Sequence, residues 1–424
     1  MNGRAKVDND ACMGGSAAPI SRCSMLKAPN SGTAGHTDIL IVLASLRAEG
    51  TPRMALDLCR LWQARGVSVV VLELGRGPDE MGSAFRRISI PVFHSGFAEG
   101  GWLRYLRLAR TVHRTCRELR PAAVLSMPSG IHAFIGLGAK LAGAGRVVVH
   151  QGVYPWHWKA AQFRKYRLEY RMGRPFTDCV VACSRYVQAG VEKYLDGGGR
   201  NLATIYNGID VERFMTSVRS ANRATRQVPR VVMVGRIDET KDFGTLVEAT
   251  GVLSRRGLQV HCSLVGEGAQ RAVLERKVQQ AGLADRIRFL GSRADSPEIL
   301  ADSDVFAYSV KPEEGLGIAL IEAMAAGVPV VASDVPACRE VLEDGALGVL
   351  VAPEDPADLA DGIRAVLEHP GEARTRADLA RAKVAAEFTS ERMAEQYLDV
   401  LGLGQRAIRA DVPAVSACAP EPCR

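Results

Sequence analysis

Long apolar runs are missing from this chain of 424 residues. No stretch approaches the ~20 apolar residues that a membrane-crossing helix needs, so nothing is expected to span a bilayer. The opening residues, MNGRAKVDNDACMGG, lack an apolar core, and no secretory leader is expected there. C-x-x-C is absent as well. The 10 Cys are scattered, with Cys179 and Cys183 as the one close pair away from the C-terminal tail. That pattern argues against zinc or redox chemistry and fits a reducing cytoplasm. Nor does G-x-G-x-x-G follow the first apolar run, where ASLRAEG stands instead, which counts against a dinucleotide-dependent dehydrogenase.

Hydrophobic residues make up 47% and charged residues 24%, enough for a sizeable core and too apolar for global disorder. The length suits two domains. Gly is abundant, 42 residues, as expected where turns need positive φ or close backbone approach. The net charge of +7 is uneven: +11 over residues 36–215 and −6 over 216–424. A basic first half and an acidic second half imply two domains with different partners, the first suited to phosphates or an anionic surface.

Residues 1–35 and 404–424 are rich in small and polar residues without periodicity and read as disordered tails. Between them, short apolar runs alternate with amphipathic stretches. In the first half the runs are 38–44, 67–74, 91–94, 122–127, 146–151 and 178–183, with helical spacing over 51–65, 102–119 and 130–143. Runs this apolar suit strands covered on both faces. Repeated β-then-α implies a parallel, doubly wound sheet. Residues 216–229 (TSVRSANRATRQVP) lack apolar periodicity and read as a linker. A second series follows at 230–235, 259–266, 286–291, 304–308, 329–333 and 348–351. The architecture is therefore α/β, two Rossmann-like domains over 36–215 and 230–388. Ligands of such sheets bind beyond the carboxyl ends of the strands, so the cleft between the domains is the natural site.

Arg236 follows the run RVVMVG, and Lys241 precedes a helix beginning at 242. Two cations beside a helix N-terminus suit a diphosphate. The segment EEGLGIALIEAMAAGVPVVAS (313–333) sets Glu314 and Glu322 eight residues apart. Glu322 falls inside an apolar helix over 318–326, where a carboxylate is costly without a partner; a ribose diol would suit. Glu314 stands at the helix entrance, where it could bind sugar hydroxyls.

The stretches YNGIDVERF (206–214), VGRIDETKDFGTLVEA (234–249), VGEGAQR (265–271), RFLGSRAD (288–295) and EEGLGIALIEAMAAGVPVVAS resemble, in this order and spacing, the GT-B retaining glycosyltransferases of family 4, glycosyl transferases group 1. The resemblance runs from about 38 to 402. It implies two Rossmann-like domains facing across a cleft, the first binding acceptor and the second the nucleotide sugar, with a helix at 389–403 crossing back to the first. It implies that Arg236 and Lys241 hold the donor diphosphate, Glu322 the ribose and Glu314 the donor sugar. Gly315, Leu316 and Gly317 would cradle sugar and phosphate, Phe289 and Leu290 would lie by the base, and Glu267 nearby. His132, in PSGIHAFIG, matches a His set against the transferred sugar. Gly50 matches one glycine of the family's Gly-Gly loop, and Gly152 would make a similar close approach. Two departures stand out: Glu49 occupies the other glycine's place, and EGFG has become EGLG.

The implied reaction moves a sugar from a nucleotide-diphospho-sugar to an acceptor hydroxyl with retention, in polysaccharide or glycolipid synthesis. No cofactor or metal is expected, and no protein nucleophile. The partners are the donor, a sugar or lipid-linked acceptor and an anionic membrane surface, but no nucleic acid, for which no recognised motif is present. Residues 102–120 and 156–174, the latter with six cations, Trp156 and Trp158, suit peripheral docking on a cytoplasmic membrane face. A non-catalytic sugar-nucleotide-binding protein and a GT-B nucleotide-sugar epimerase are the alternatives.

Overall fold

Thirteen runs dominated by valine, leucine, isoleucine and alanine form strands among the described residues, because both faces of each parallel sheet are covered by helices. The computed structural model describes residues 37–404 apart from 48, 76–78, 97–102, 129, 156–159, 196–200 and 221–226. The tail expected at 1–35, all but Gly404 of that at 404–424, and Trp156 and Trp158 lie outside them.

The first series runs β1 (Ile39–Leu43), α1 (Gly50–Ala64), β2 (Val69–Glu73), α2 (Gly82–Arg87), β3 (Val92–His94), α3 (Leu103–Leu119), β4 (Ala123–Ser126), α4 (His132–Leu141), β5 (Arg146–Gln151), α5 (Ala160–Gly173), β6 (Cys179–Ala182), α6 (Arg185–Tyr194), β7 (Leu202–Thr204) and α7 (Val211–Ser220). The second runs β8 (Arg230–Val234), α8 (Phe243–Arg255), β9 (His261–Val265), α9 (Arg271–Gln280), β10 (Ile287–Gly291), α10 (Ser296–Ala301), β11 (Val305–Tyr308), α11 (Ile318–Ala325), β12 (Val330–Ser333), α12 (Pro336–Val341), β13 (Val349–Val351) and α13 (Pro356–Glu368). Then come α14 (Pro370–Glu387) and α15 (Ser390–Val400).

All pairings between the named strands are parallel. The sheet orders are β3-β2-β1-β4-β5-β6-β7 and β10-β9-β8-β11-β12-β13. Each order reverses once, between β1 and β4 and between β8 and β11. At such a switch point the flanking loops part and open a crevice at the carboxyl ends of the strands. Those four loops carry Glu49, Ile131, Arg236 and Glu314.

The chain returns to the first lobe through α15. Trp62 of α1, fully buried, donates its indole N–H to the Ala394 carbonyl at 2.9 Å. The Tyr397 hydroxyl and His150 Nδ1 of β5 share a buried hydrogen bond of 2.9 Å. Thr389 caps α15 by accepting from the Arg392 N–H, as Asp242 caps α8 and Asp355 caps α13.

Two features differ from the sequence reading. β7 is a three-residue edge strand, half-buried, too short and too mixed for its alternation to stand out. The stretch 216–229 is not all linker: α7 extends through Ser220, and it packs on α10 and α11 of the second lobe.

Candidate active site

The loop after β8 places Arg236 and Lys241. Asp238 folds it: the carboxylate accepts from the Thr240 N–H at 3.0 Å and the Lys241 N–H at 3.1 Å, and pairs with the Arg236 Nε. Arg236 then points out of the second lobe, its Nη1 lying 3.3 Å from Oε2 of Glu49 in the first. Lys241 turns the other way. Its ammonium pairs with Glu314 and donates to the Tyr308 hydroxyl at 2.5 Å. Tyr308 in turn donates to Glu314 Oε2 at 3.0 Å.

Burial alone would raise the Glu314 carboxyl. The adjacent Lys241 charge, with hydrogen bonds from Lys241, Tyr308 and the Leu316 backbone N–H, wins and holds it below the ordinary value. Tyr308 is fully buried, and burial together with the Glu314 charge pushes its hydroxyl far above the usual range. It is a proton donor at any ordinary pH.

Gly317 is the N-cap of α11 at φ 89°, a left-handed conformation that glycine adopts without strain, and a Cβ there would meet the Tyr308 ring at 3.1 Å. No side chain caps the first turn of α11. One turn later stands Glu322, whose carboxyl is pushed up to about 7. Burial is the main cause, opposed by Arg53 and Arg213 and reinforced by Asp57. Asp57 of α1 is itself raised to about 6, again chiefly by burial. Two carboxyls from facing lobes thus share one weakly solvated corner with two arginines.

Gly315 and Leu316 serve a different contact. A Cβ on Gly315 would stand 2.4 Å from the Gly152 carbonyl oxygen, and the Ser184 hydroxyl donates to the Gly315 carbonyl at 2.6 Å. Leu316 is buried in the core. These residues join the lobes backbone to backbone. Glu340 of α12 strengthens the joint by accepting from the Arg185 and Tyr186 N–H groups, at 2.8 and 2.9 Å, and from Tyr206 at 2.8 Å. The Gly50 Cα faces the same cleft, since a Cβ there would lie 3.3 Å from Ile318 of α11.

Glu267 pairs with Arg271, whose guanidinium lies over the Phe289 ring at 5.9 Å. Phe289 and Leu290 alternate on β10 and pack into different core clusters, so they present to opposite faces of the sheet. His132, the first residue of α4, is 1% exposed. The Tyr170 ring lies edge-on at 4.5 Å, and Glu169 Oε1 is 3.5 Å from Nδ1. Burial lowers the imidazole to about 4, leaving it neutral.

Arg236, Lys241, Glu314 and Glu322 therefore gather at the second switch point, Arg236 by way of Asp238 and the others around Tyr308. His132 is enclosed between α4 and α5. Sequence reasoning missed Tyr308, although it ends the run DVFAY and only four residues separate it from the EEGLG segment. It also missed Asp238, Ser184 and Glu340. Among the described residues no cluster of His, Cys, Asp or Glu is placed to hold a metal ion, and no helix is long and apolar enough to cross a membrane.

Residues 216–383 match the family model for glycosyl transferases group 1, and residues 48–213 match that for glycosyltransferase family 4. Phosphatidyl-myo-inositol mannosyltransferase of Mycobacterium tuberculosis is 39% identical over 179 residues, 40% of this chain and 46% of that protein. Glycogen synthase of the same organism is 28% identical over 239 residues, 56% and 57% of the two chains. The alignments thus span about half the length of these curated relatives. Among solved structures, Anabaena Alr3699/HepE in complex with UDP-glucose superposes with a TM-score of 0.73 at 24% identity, covering 87% of this chain and all of that one. Sucrose-phosphate synthase from Thermosynechococcus elongatus superposes at 0.72 with 21% identity, covering 89% and 100%. With one match over each lobe and this fold beneath both, the chain belongs to the glycosyl transferases group 1, on the GT-B fold.

Proposed function

We propose that this chain transfers a hexosyl group from a nucleotide-diphospho-sugar to an acceptor hydroxyl with retention of anomeric configuration, in polysaccharide or glycolipid synthesis. One observation carries the reading: Arg236, Lys241 and the uncapped first turn of α11 all border the second switch point, with the Glu322 carboxyl one turn away. Cations and helix-start N–H groups bind diphosphate, and a buried carboxyl in no direct ion pair suits a ribose diol. The relative solved with UDP-glucose supports a nucleotide-sugar donor.

The difficult event is departure of the nucleoside diphosphate as an anion. Arg236, Lys241 and the α11 N-terminus would meet that charge, at ~3 kcal/mol per well-placed donor. Lys241 is held by Tyr308 and Glu314, so its ammonium needs no reorganisation as charge grows. The leaving phosphate would take the acceptor's proton, which requires no protein base and no metal. Contact between the lobes at Gly315 and Gly152 would help to keep water from the donor and limit its hydrolysis.

For the acceptor side, α3 and α5 expose Leu103, Leu106, Leu168 and Met172 among Arg107, Arg164, Arg167 and Arg171, a face suited to an anionic bilayer on its cytoplasmic side. Incubation with labelled UDP-, GDP-, ADP- and dTDP-sugars tests the function. Slow release of free sugar and nucleoside diphosphate is expected from one of them. An altered sugar still joined to its nucleotide would mean an epimerase, and binding without turnover a binding protein. Co-sedimentation with phosphatidylglycerol vesicles but not with phosphatidylcholine vesicles tests the docking face.

A further inference from the structure

Glu49 is the N-cap of α1, with extended backbone at φ −108° and ψ 172°, and its carboxylate bonds to no N–H of the first turn. An aspartate at an N-cap turns back onto its own helix, but the longer glutamate is not among the preferred capping residues. Here it reaches across to Arg236 instead, with 3.3 Å between Oε2 and Nη1. Asp238 already holds the Nε edge of the same guanidinium. The cation that the proposed donor diphosphate needs thus has a carboxylate at each end. The Asp238 carboxylate is tied down by three bonds, whereas Glu49 is 38% exposed and no other hydrogen bond fixes its carboxylate among the described residues.

We infer that Glu49 is a selectivity residue of the donor site: its carboxylate competes with the diphosphate for Arg236 and disfavours the nucleoside diphosphate product more than the sugar nucleotide. The inference rests on the function proposed above. Its physical basis is charge. Freeing the β-phosphate from the sugar adds about one negative charge near pH 8, because a terminal phosphate monoester loses its second proton near pH 6. A fixed carboxylate beside the binding cation repels the more highly charged species more. Glu49 thereby shortens the residence of the product, which would otherwise be held by the same groups that stabilise its departure. Gly50, the next residue, faces Ile318 of α11, so Glu49 enters at the helix start where that phosphate would lie. The ion pair is partly exposed, so the effect is modest, about three- to fivefold in product affinity.

The test is calorimetry on the full-length protein and Glu49→Gln at pH 8, with UDP, GDP, ADP and dTDP and the matching sugar nucleotides, at low and high salt. The expected result is a product Kd about three- to fivefold lower in the variant, a smaller change for the sugar nucleotide, and a difference that shrinks in high salt. Repeating the substitution in an Arg236→Gln background should abolish the gain. Equal or weaker product binding by Glu49→Gln, with an unchanged melting temperature, overturns the inference, as does a gain that persists without Arg236. A wild-type protein that binds none of the nucleotides refutes the proposed function itself, an outcome distinct from binding that ignores Glu49.

Discussion

Replacing Lys241 by methionine should do more than remove a phosphate ligand. The methionine keeps the length of the side chain but leaves Glu314, 12% exposed, without its counter-charge. Removing one partner of a buried ion pair costs ~3 kcal/mol, more than the pair itself contributes, because the remaining charge cannot be resolvated. For a lobe of this size, ~3 kcal/mol lowers the melting temperature by about 6–12 °C. The pH dependence should also invert. In the wild type the Glu314 carboxyl lies below its ordinary value, so its stabilisation is present above about pH 4.5 and is lost as pH falls through the native value. Without Lys241, burial dominates and the native carboxyl keeps its proton longer than the unfolded one, so stability falls as pH rises. The deficit of Lys241→Met should therefore be largest near pH 8 and shrink below about pH 5. Adding Glu314→Gln should recover most of it, giving a coupling of about 2 kcal/mol in a double-mutant cycle. Differential scanning calorimetry of the four proteins at pH 5 and 8 supplies every term. An unchanged melting temperature in Lys241→Met, or two substitutions whose costs simply add, would refute the reasoning.

Glu322, with its carboxyl near 7, should shed a proton when a ribose binds to its ionised form, so nucleotide binding at pH 6.5 should show different calorimetric enthalpies in phosphate and Tris; equal enthalpies would exclude that role. Because its native carboxyl retains a proton that the unfolded chain has lost between about pH 4.5 and 7, Glu322→Gln should gain stability relative to wild type as pH rises through that window, by at most about 3 kcal/mol. His132 has the opposite sign: its native value near 4 lies below 6.5, so its neutral imidazole stabilises the fold above pH 6.5 and that stability is lost as pH falls toward 4. The melting curve of His132→Gln should be flatter than wild type between pH 6.5 and 4.5, and parallel curves would exclude the effect. Gly315→Ala drives a methyl to 2.4 Å from the Gly152 carbonyl, so it should cost about 1–3 kcal/mol and loosen the joint, measured by melting and by a larger radius of gyration in X-ray scattering.

Much of this architecture follows from local pattern. The twelve apolar runs became strands because burial on both faces demands such runs, and β7 escaped notice because an edge strand of three half-buried residues makes no such demand. Arg236, Lys241 and Glu314 were legible as candidates because they lie between the carboxyl end of a strand and the next helix, where a parallel sheet presents its ligand edge. α7 was not, because its packing surface belongs to α10 and α11, far along the chain.

Sequence alone therefore determined the two parallel lobes and the segments that border the cleft, since periodicity and strand-end position are properties of neighbouring residues. Only the tertiary structure decided what each side chain faces. It buried His132, turned Lys241 onto Glu314 and Tyr308 while Arg236 met Glu49, and spent Gly315 on a contact between lobes. Those outcomes depend on groups tens to hundreds of residues apart, brought within a few ångströms by the sheet order and by the docking of one lobe on the other.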